Sequence, residues 1–190
     1  SPTCSPAAAR RRISVPAPSD LLSVFDHPAC ASPAERALGV VGEDVALCTP
    51  TLVSKGFMKP EDMCLVDFEG NQLAGAKKRT SEILMHLQIM KRQPRAIATV
   101  HCHPPYSTGF AVAGIAPPTC MIPEYEVFAS VAVAPYRTPG TPEMGQLVAD
   151  LVDQHNTILM ANHGVVSWSH LGVEDAYFKI KKDSKFQQEL

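Results

Sequence analysis

The sequence predicts an α/β domain with a mixed or antiparallel sheet that helices cover. Short apolar segments typical of β-strands alternate with amphipathic helical segments along most of the 190-residue chain. Some neighbouring strands are joined by turn sequences such as Glu69-Gly70-Asn71, which indicates β-hairpins and not a purely parallel sheet. A chain of this length can bury one substantial hydrophobic core, so we expect a single folded domain.

The first forty residues differ in composition from the rest of the chain. Ala, Ser and Pro make up half of them, and no helical or strand periodicity persists there. We therefore expect an irregular amino-terminal segment over residues 1–40 and the folded domain over residues 41–190.

The first half of the domain is expected to supply three strands before its first long helix. Residues 45–48 and 63–68 are apolar strand segments, and residues 69–71 turn the second of them into a third strand. A loop over residues 49–56 and a helical turn at 59–62 connect the first two strands.

A helix is predicted to begin at Thr80-Ser81-Glu82, with Thr80 or Ser81 as its N-cap. Its apolar residues recur at the spacing of one helical face: Ile83, Leu84, Leu87 and Met90. A strand over residues 96–103 follows, and a short Ala- and Gly-rich helix is expected to begin at Ser107.

The last third of the chain predicts three more strands and two helices. A strand over residues 131–134 precedes a helix from Thr141 to about residue 154, with Pro142 in its first turn. Two strand segments, 157–161 and 165–168, are separated by Asn162-His163-Gly164. A final amphipathic helix extends from Val173 to the carboxyl end.

Two histidines mark the end of the strand over residues 96–103. His101 and His103 are two residues apart, so a β-strand directs both imidazoles to the same face. Pro104 and Pro105 cannot continue a sheet, so the pair falls at the strand end, where the chain opens to solvent. Two imidazoles in such a position form a partial metal site.

His163 is the natural third ligand. It follows a very apolar strand, and Gly164 would allow a sharp turn that leaves the imidazole exposed at the strand end. A single histidine in such a turn is more often a hydrogen-bonded structural residue, and it is the H-x-H pair that favours the metal interpretation. Three neutral imidazoles with one open position are typical of a catalytic zinc site.

Glu82 is the carboxylate that we expect beside the metal, because the start of a helix favours its negative charge. The alternative is an ordinary N-terminal helix charge. His86 lies one turn further along the same face, and we expect an indirect or structural role for it. Hydroxyl groups of Thr80, Ser81 and residues 49–54 could form an anion cradle with nearby backbone N–H groups, although hydroxyl-rich loops are common.

Composition and charge argue against several other classes of protein. The net charge of −2 gives no sign of a surface for nucleic acid or an anionic membrane. No apolar segment approaches the roughly 20 residues needed to cross a bilayer, and the amino end lacks the apolar core of a secretory signal. The 6 cysteines include no C-x-x-C pair, and several lie in apolar runs, which favours buried thiols and a reducing, cytoplasmic compartment.

Four short motifs follow one another along the chain: T-P-T at 49–51, T-S-E at 80–82, H-C-H-P-P-Y at 101–106 and A-N-H-G at 161–164. In this order and approximate spacing they resemble the class II aldolase/adducin family, over about residues 41–186. The resemblance implies a three-layer α/β/α sandwich with a central mixed, largely antiparallel sheet. It also implies a homotetramer with the metal site near subunit interfaces.

The resemblance further implies the roles of single residues. Zinc, or another divalent metal, would bind to His101, His103 and His163. Glu82 would be the acid/base and would also be able to ligate the metal in the empty site. The phosphate of the substrate would contact Thr51, Thr80 and Ser81. Tyr125 is the candidate proton donor to the second product fragment.

The activity implied by the resemblance is that of a zinc-dependent aldolase, an aldehyde-lyase that cleaves a small ketose or sugar phosphate. A divalent metal stabilises the enediolate that such a cleavage forms, and a carboxylate can move the proton. A metal-dependent epimerase or dehydratase of the same family is an alternative. A third interpretation is a catalytically inactive, adducin-like binding protein.

Two departures from the family pattern concern the phosphate side. The G-N-[LIV]-S-x-R stretch that usually precedes the first matched strand is absent, and Leu52 stands where the family commonly has glycine. Leu52 is expected to crowd its loop. These departures favour the binding protein, whereas the three histidines and Glu82 favour an enzyme.

Overall fold

The computed structural model describes residues 36–42, 44–54, 57–118 and 129–186. Within these ranges eight strands form one sheet, and four α-helices cover it. The strands are β1 (Arg36–Gly42), β2 (Val45–Cys48), β3 (Cys64–Asp67), β4 (Gln72–Ala74), β5 (Ala98–Cys102), β6 (Val131–Ala134), β7 (Thr157–Met160) and β8 (Gly164–Ser169). The helices are α1 (Ile83–Arg92), α2 (Pro105–Ala113), α3 (Pro142–Ala149) and α4 (Val173–Phe186), and a 3₁₀ turn spans Pro60–Asp62.

The sheet is mixed and largely antiparallel, which confirms the predicted fold class. Its strand order is β4-β3-β2-β1-β5-β8-β7-β6, and among the described strands only β6 and β7 pair in parallel. The predicted hairpin of β3 and β4 is present, as is the tight connection between β7 and β8. Strand β5 lies near the centre of the sheet, between β1 and β8.

Helices cover both faces of the sheet and complete the three layers. Helices α1 and α3 pack against each other, and their apolar residues belong to one hydrophobic cluster. Helices α2 and α4 contribute to a second cluster, which also contains Ala98, Val100 and Cys102 of β5. Because side chains alternate along a strand, Thr99 and His101 point to the opposite face, which α1 covers.

The amino-terminal boundary differs from the expected one. Strand β1 begins at Arg36, so the expected boundary between residues 40 and 41 falls inside a strand. This strand pairs with β2 on one side and β5 on the other, and such long-range pairing overrides a weak local pattern. Residues 1–35 lie outside the described part of the chain.

Three helix limits also differ from the sequence prediction. Helix α1 has Glu82 as its N-cap, in place of Thr80 or Ser81, and α2 begins at Pro105, two residues before Ser107. Helix α3 ends at Ala149 and not near residue 154. The chain continues there in tighter turns, with bonds from the residues after α3 to carbonyls three positions back. No helix in the described ranges is long and apolar enough to cross a membrane.

Candidate metal centre

The carboxyl end of β5 presents two histidines on the face that α1 covers. His101 is fully buried, whereas His103 follows the strand and is more open to solvent. Their ring centroids lie 4.6 Å apart. Pro104 and Pro105 end the strand and begin α2, so the pair lies at the strand end as predicted.

The turn between β7 and β8 brings His163 to the same place. Because β8 pairs with β5, the turn that precedes β8 reaches the carboxyl end of β5. The ring centroid of His163 lies 4.8 Å from that of His101 and 5.1 Å from that of His103. One nitrogen atom from each of these three residues, the histidine cluster, lies within 4.8 Å of the others. The structure thus brings the three predicted ligands close enough together to hold a single metal ion.

Gly164 is required here for a different reason from the one expected. The positive φ in this turn belongs to Asn162, at 55°, so the sharp turn does not depend on glycine. A Cβ at position 164 would lie 2.5 Å from Cδ2 of His103 and 2.7 Å from the carbonyl oxygen of Cys102. Glycine therefore allows β8 to approach the His103 side chain closely.

Glu82 joins α1 to the histidine cluster. Its Oε1 lies 3.1 Å from Nε2 of His163, and its Oε2 lies 3.2 Å from Nε2 of His101. Glu82 is only 5% exposed and stands at the N-terminus of α1, where the helix dipole favours a negative charge. A buried carboxylate needs such partners, because an unpaired charge in the interior is strongly unfavourable.

Hydrogen bonding fixes the tautomer of His101. Its Nδ1 lies 2.8 Å from the carbonyl oxygen of Val165, and since a carbonyl can only accept, Nδ1 carries the proton. In the neutral ring, Nε2 then bears a lone pair that faces a Glu82 oxygen. This nitrogen is buried and has no hydrogen-bond partner among the described residues. Two acceptors facing each other call for a cation, either a proton or a metal ion, and imidazoles with a carboxylate are a ligand set that suits Zn²⁺.

The residues predicted to bind phosphate lie beside the start of α1. The N–H of Thr80 donates to the carbonyl oxygen of Thr49 at 3.1 Å, and the N–H of Thr51 donates to that of Lys78 at 2.9 Å. These bonds join residues 49–54 to residues 78–81, and we call the two together the hydroxyl segment. The Thr80 side chain is buried and accepts from the N–H of Glu82 at 3.4 Å, whereas Ser81 is exposed.

Leu52 does not crowd the hydroxyl segment. Its side chain is 99% exposed, so it points into solvent and leaves the loop interior clear. Its φ of 57° is the left-handed conformation that favours glycine. The loop thus keeps a glycine-like backbone despite the leucine, and the expectation of crowding is wrong.

Other residues considered from the sequence have different surroundings. Tyr125 lies outside the described residues. His86 is buried on α1 and contacts Thr99 of β5, a partner that no local pattern indicates. The carbonyl of Val165 was also missed, because its role depends on the pairing of β8 with β5 and not on its side chain.

Known proteins resemble this chain in sequence and in fold. Residues 33–182 match the model of the family described as Class II Aldolase and Adducin N-terminal domain. An L-fuculose phosphate aldolase of Methanococcus maripaludis is 33% identical over 143 residues, which are 75% of this chain and 76% of the relative. A 3-oxo-tetronate 4-phosphate decarboxylase of Haemophilus influenzae is 32% identical over 125 residues, covering 63% of this chain and 59% of the relative.

Solved structures share the fold at lower sequence identity. YgbL from Klebsiella pneumoniae superposes with a TM-score of 0.77 at 22% identity, covering 91% of this chain and 87% of that one. L-fuculose-1-phosphate aldolase from Thermus thermophilus gives a TM-score of 0.70 at 23% identity, covering 88% and 85%. Because the family model matches most of the length of this chain, the chain belongs to the class II aldolase and adducin family.

Proposed function

We propose that this protein is a zinc-dependent aldolase that cleaves a small ketose, most simply a sugar phosphate, through a metal-stabilised enediolate. The observation that carries the proposal is the contact of one buried carboxylate with two of three clustered imidazoles. Glu82 lies within 3.2 Å of Nε2 of both His101 and His163. A binding protein without catalysis has no need of this arrangement.

His101, His103 and His163 would hold the metal ion, which could be zinc or another divalent ion. Bound there, it would act as a Lewis acid toward the negative charge that develops on the substrate oxygens. The tautomer of His101 supports this role, because the Val165 carbonyl keeps the proton on Nδ1 and leaves Nε2 available.

Glu82 would move the proton. In the cleavage direction the carboxylate takes the proton of the substrate hydroxyl, the adjacent C–C bond breaks, and its electron pair forms the enediolate. The same carboxyl group can then return the proton to carbon, so that proton and charge balance over the cycle. The proximity of Glu82 to the histidine cluster supports this assignment, because base and metal must act on the same substrate.

Three further features of the proposal derive from the family. Thr51, Thr80 and Ser81 would contact the phosphate, and the hydrogen bonds that assemble the hydroxyl segment support this. Tyr125 would protonate the oxygen of the second fragment when the C–C bond forms, and in cleavage it would pass the hydroxyl proton on to Glu82. The protein would work as a homotetramer in the cytoplasm, and the buried cysteines Cys48, Cys64 and Cys102 suit a reducing compartment.

Decarboxylation is the second candidate. It is favoured by the likeness to three 3-oxo-tetronate 4-phosphate decarboxylases, each at least 32% identical over 125 residues. Loss of CO₂ next to a ketone also leaves an enediolate, so the same metal ligands would serve. The family alternatives of an epimerase or a dehydratase would use them as well.

A product screen tests the proposal. Zn²⁺-loaded protein is incubated with ketose 1-phosphates, their unphosphorylated forms and 3-oxo acid phosphates, with and without a chelator, while aldehyde and CO₂ are measured. We expect aldehyde release that the chelator and the His103→Ala substitution both abolish. Release of CO₂ alone would favour the decarboxylase. A loaded protein that forms no product from any of these substrates would contradict both and favour the binding protein.

A further inference from the structure

A buried polar contact joins α1 to β5 directly behind the histidine cluster. Nδ1 of His86 lies 2.8 Å from Oγ1 of Thr99, and both residues are fully buried. The other buried side chains of α1 are all apolar: Ile83, Met85, Leu87, Ile89 and Met90. A polar pair in such an apolar layer contributes little net stability compared with apolar side chains of the same shape.

The His86–Thr99 contact and the Glu82–His101 contact are separated by nearly the same distance along α1 as along β5. Glu82 and His86 are four residues apart, about 6 Å along α1, and share one face of it. His101 and Thr99 are two residues apart, about 6.6 Å along β5, and also share one face. The contacts Glu82–His101, at 3.2 Å, and His86–Thr99, at 2.8 Å, thus form two parallel connections between helix and strand.

This geometry makes the His86–Thr99 contact sensitive to any sliding of α1 along β5. Apolar side chains tolerate small shifts, whereas a hydrogen bond weakens steeply outside its narrow range of distance and angle. A shift of one residue along the helix, about 1.5 Å, would move the Glu82 carboxylate away from the nitrogen atoms that it now contacts. A misplacement of about 1 Å can lower a reaction rate about 10²-fold.

We propose that His86 and Thr99 are positioning residues, which hold α1 in register on β5 so that the Glu82 carboxylate meets His101 and His163. The pair does not touch the reacting atoms. The inference deepens the proposed function, since it rests on a metal at the histidine cluster with Glu82 beside it.

The test compares two substitutions of Thr99 and one control. Thr99→Val removes the hydroxyl and keeps the shape, whereas Thr99→Ser keeps the hydroxyl. Thr157→Val is the control, because Thr157 is also fully buried in the sheet and its hydroxyl donates to Oδ1 of Asn156 at 3.1 Å. The readouts are the affinity for Co²⁺, from its visible absorption, and the midpoint of thermal unfolding.

We expect Thr99→Val to weaken Co²⁺ binding by about tenfold, at the low end of the effect of outer residues on metal affinity. Thr99→Ser should keep the wild-type affinity for Co²⁺. Thr157→Val should lower thermal stability without changing that affinity. In a Glu82→Gln background the Thr99→Val effect should disappear, because the carboxylate through which it acts is gone. If Thr99→Val does not fold, His86→Asn, which keeps a polar atom near the position of Nδ1, is compared with His86→Leu.

The outcomes separate this inference from the proposed function. A wild-type protein that binds no Co²⁺ overturns both. Binding by the wild type with equal affinities of Thr99→Val and Thr157→Val overturns the positioning role alone. The positioning role is also overturned if Thr99→Val weakens binding equally with and without the Glu82 carboxylate.

Discussion

Glu82 contacts the histidine cluster through its side chain and the hydroxyl segment through its N–H, and these two regions are built differently. Each imidazole of the cluster is fixed by a strand end or a tight turn, and His101 is also held by the carbonyl of Val165. The hydroxyl segment is held together by backbone bonds, and its residues Leu52 and Ser81 are exposed. Glu82 and His101, on the side that would carry the chemistry, are thus buried, whereas the side that would bind phosphate is more open, at Leu52 and Ser81.

The two regions also differ in how closely they follow the family pattern. The cluster keeps every motif residue, whereas the hydroxyl segment has Leu52 in place of a glycine and the G-N-[LIV]-S-x-R stretch is absent. We infer that the metal ligands are more strongly determined by the sequence than the phosphate contacts. Substitutions on the cluster side should therefore have larger effects than those on the open side.

Glu82→Gln should have the largest effect. With the metal at saturating concentration, kcat is expected to fall about 10²- to 10⁴-fold, because an amide cannot take up or return a proton. Turnover and metal content are measured on the same sample. Glu143→Gln, at the exposed start of α3, is the matched control and should keep wild-type turnover. Near-normal activity of Glu82→Gln with metal bound would show that another group is the base.

Gly164→Ala should have the second largest effect, on both stability and metal affinity. The added Cβ would lie 2.5 Å from Cδ2 of His103 and 2.7 Å from a β5 carbonyl oxygen. We expect the free energy of unfolding to fall by about 1–3 kcal/mol, as for other overpacked sites, and metal affinity to weaken as His103 moves. Gly109→Ala, with no atom within 4 Å of its Cβ, is the control and should not destabilise α2. Equal stability of the two variants in urea would refute the close approach.

Leu52→Gly tests for backbone strain in the hydroxyl segment. Leucine at a φ of 57° carries backbone strain, so glycine should stabilise the protein by up to about 1 kcal/mol, partly offset by its greater entropy in the unfolded chain. Metal affinity should not change. Ser54→Gly, in the same loop without a positive φ, should slightly destabilise the fold. A loss of stability in Leu52→Gly as large as in Ser54→Gly would argue against strain.

Asp175→Asn should have the smallest effect, and that effect is on thermal stability. Asp175 lies on α4, away from the histidine cluster. Burial alone would raise the pKa of Asp175, but the hydrogen bonds that Lys179 and Ser169 donate outweigh it and lower the pKa below 3.8. The ionised carboxylate therefore stabilises the fold above that pH, and the stabilisation is lost as pH falls through the lowered pKa. The midpoint of thermal unfolding should be lower for the variant than for the wild type at pH 7. This difference in midpoint should shrink as the pH falls. A difference that is constant with pH would contradict this role of the carboxylate.

The sequence predicted those parts of the site that depend on local spacing. The same-face placement of His101 and His103 follows from the period of a strand, and the fold class follows from hairpins and alternating elements. The approach of His163 could be inferred only from a combination of motifs, because it requires β8 to pair with β5. The contacts of Glu82, the role of Gly164 and the His86–Thr99 pair depend on how elements pack, which no local pattern specifies.

The central claim is that three imidazoles from two chain segments bind one cation. Protein stripped of metal, incubated with Zn²⁺ and dialysed is analysed for bound metal and by X-ray absorption, beside the His103→Ala variant. We expect about one ion per chain with nitrogen ligands at about 2.0–2.1 Å, and loss of most of that ion in the variant. Less than one ion per several chains of the wild type, or an equal content in His103→Ala, would contradict the claim.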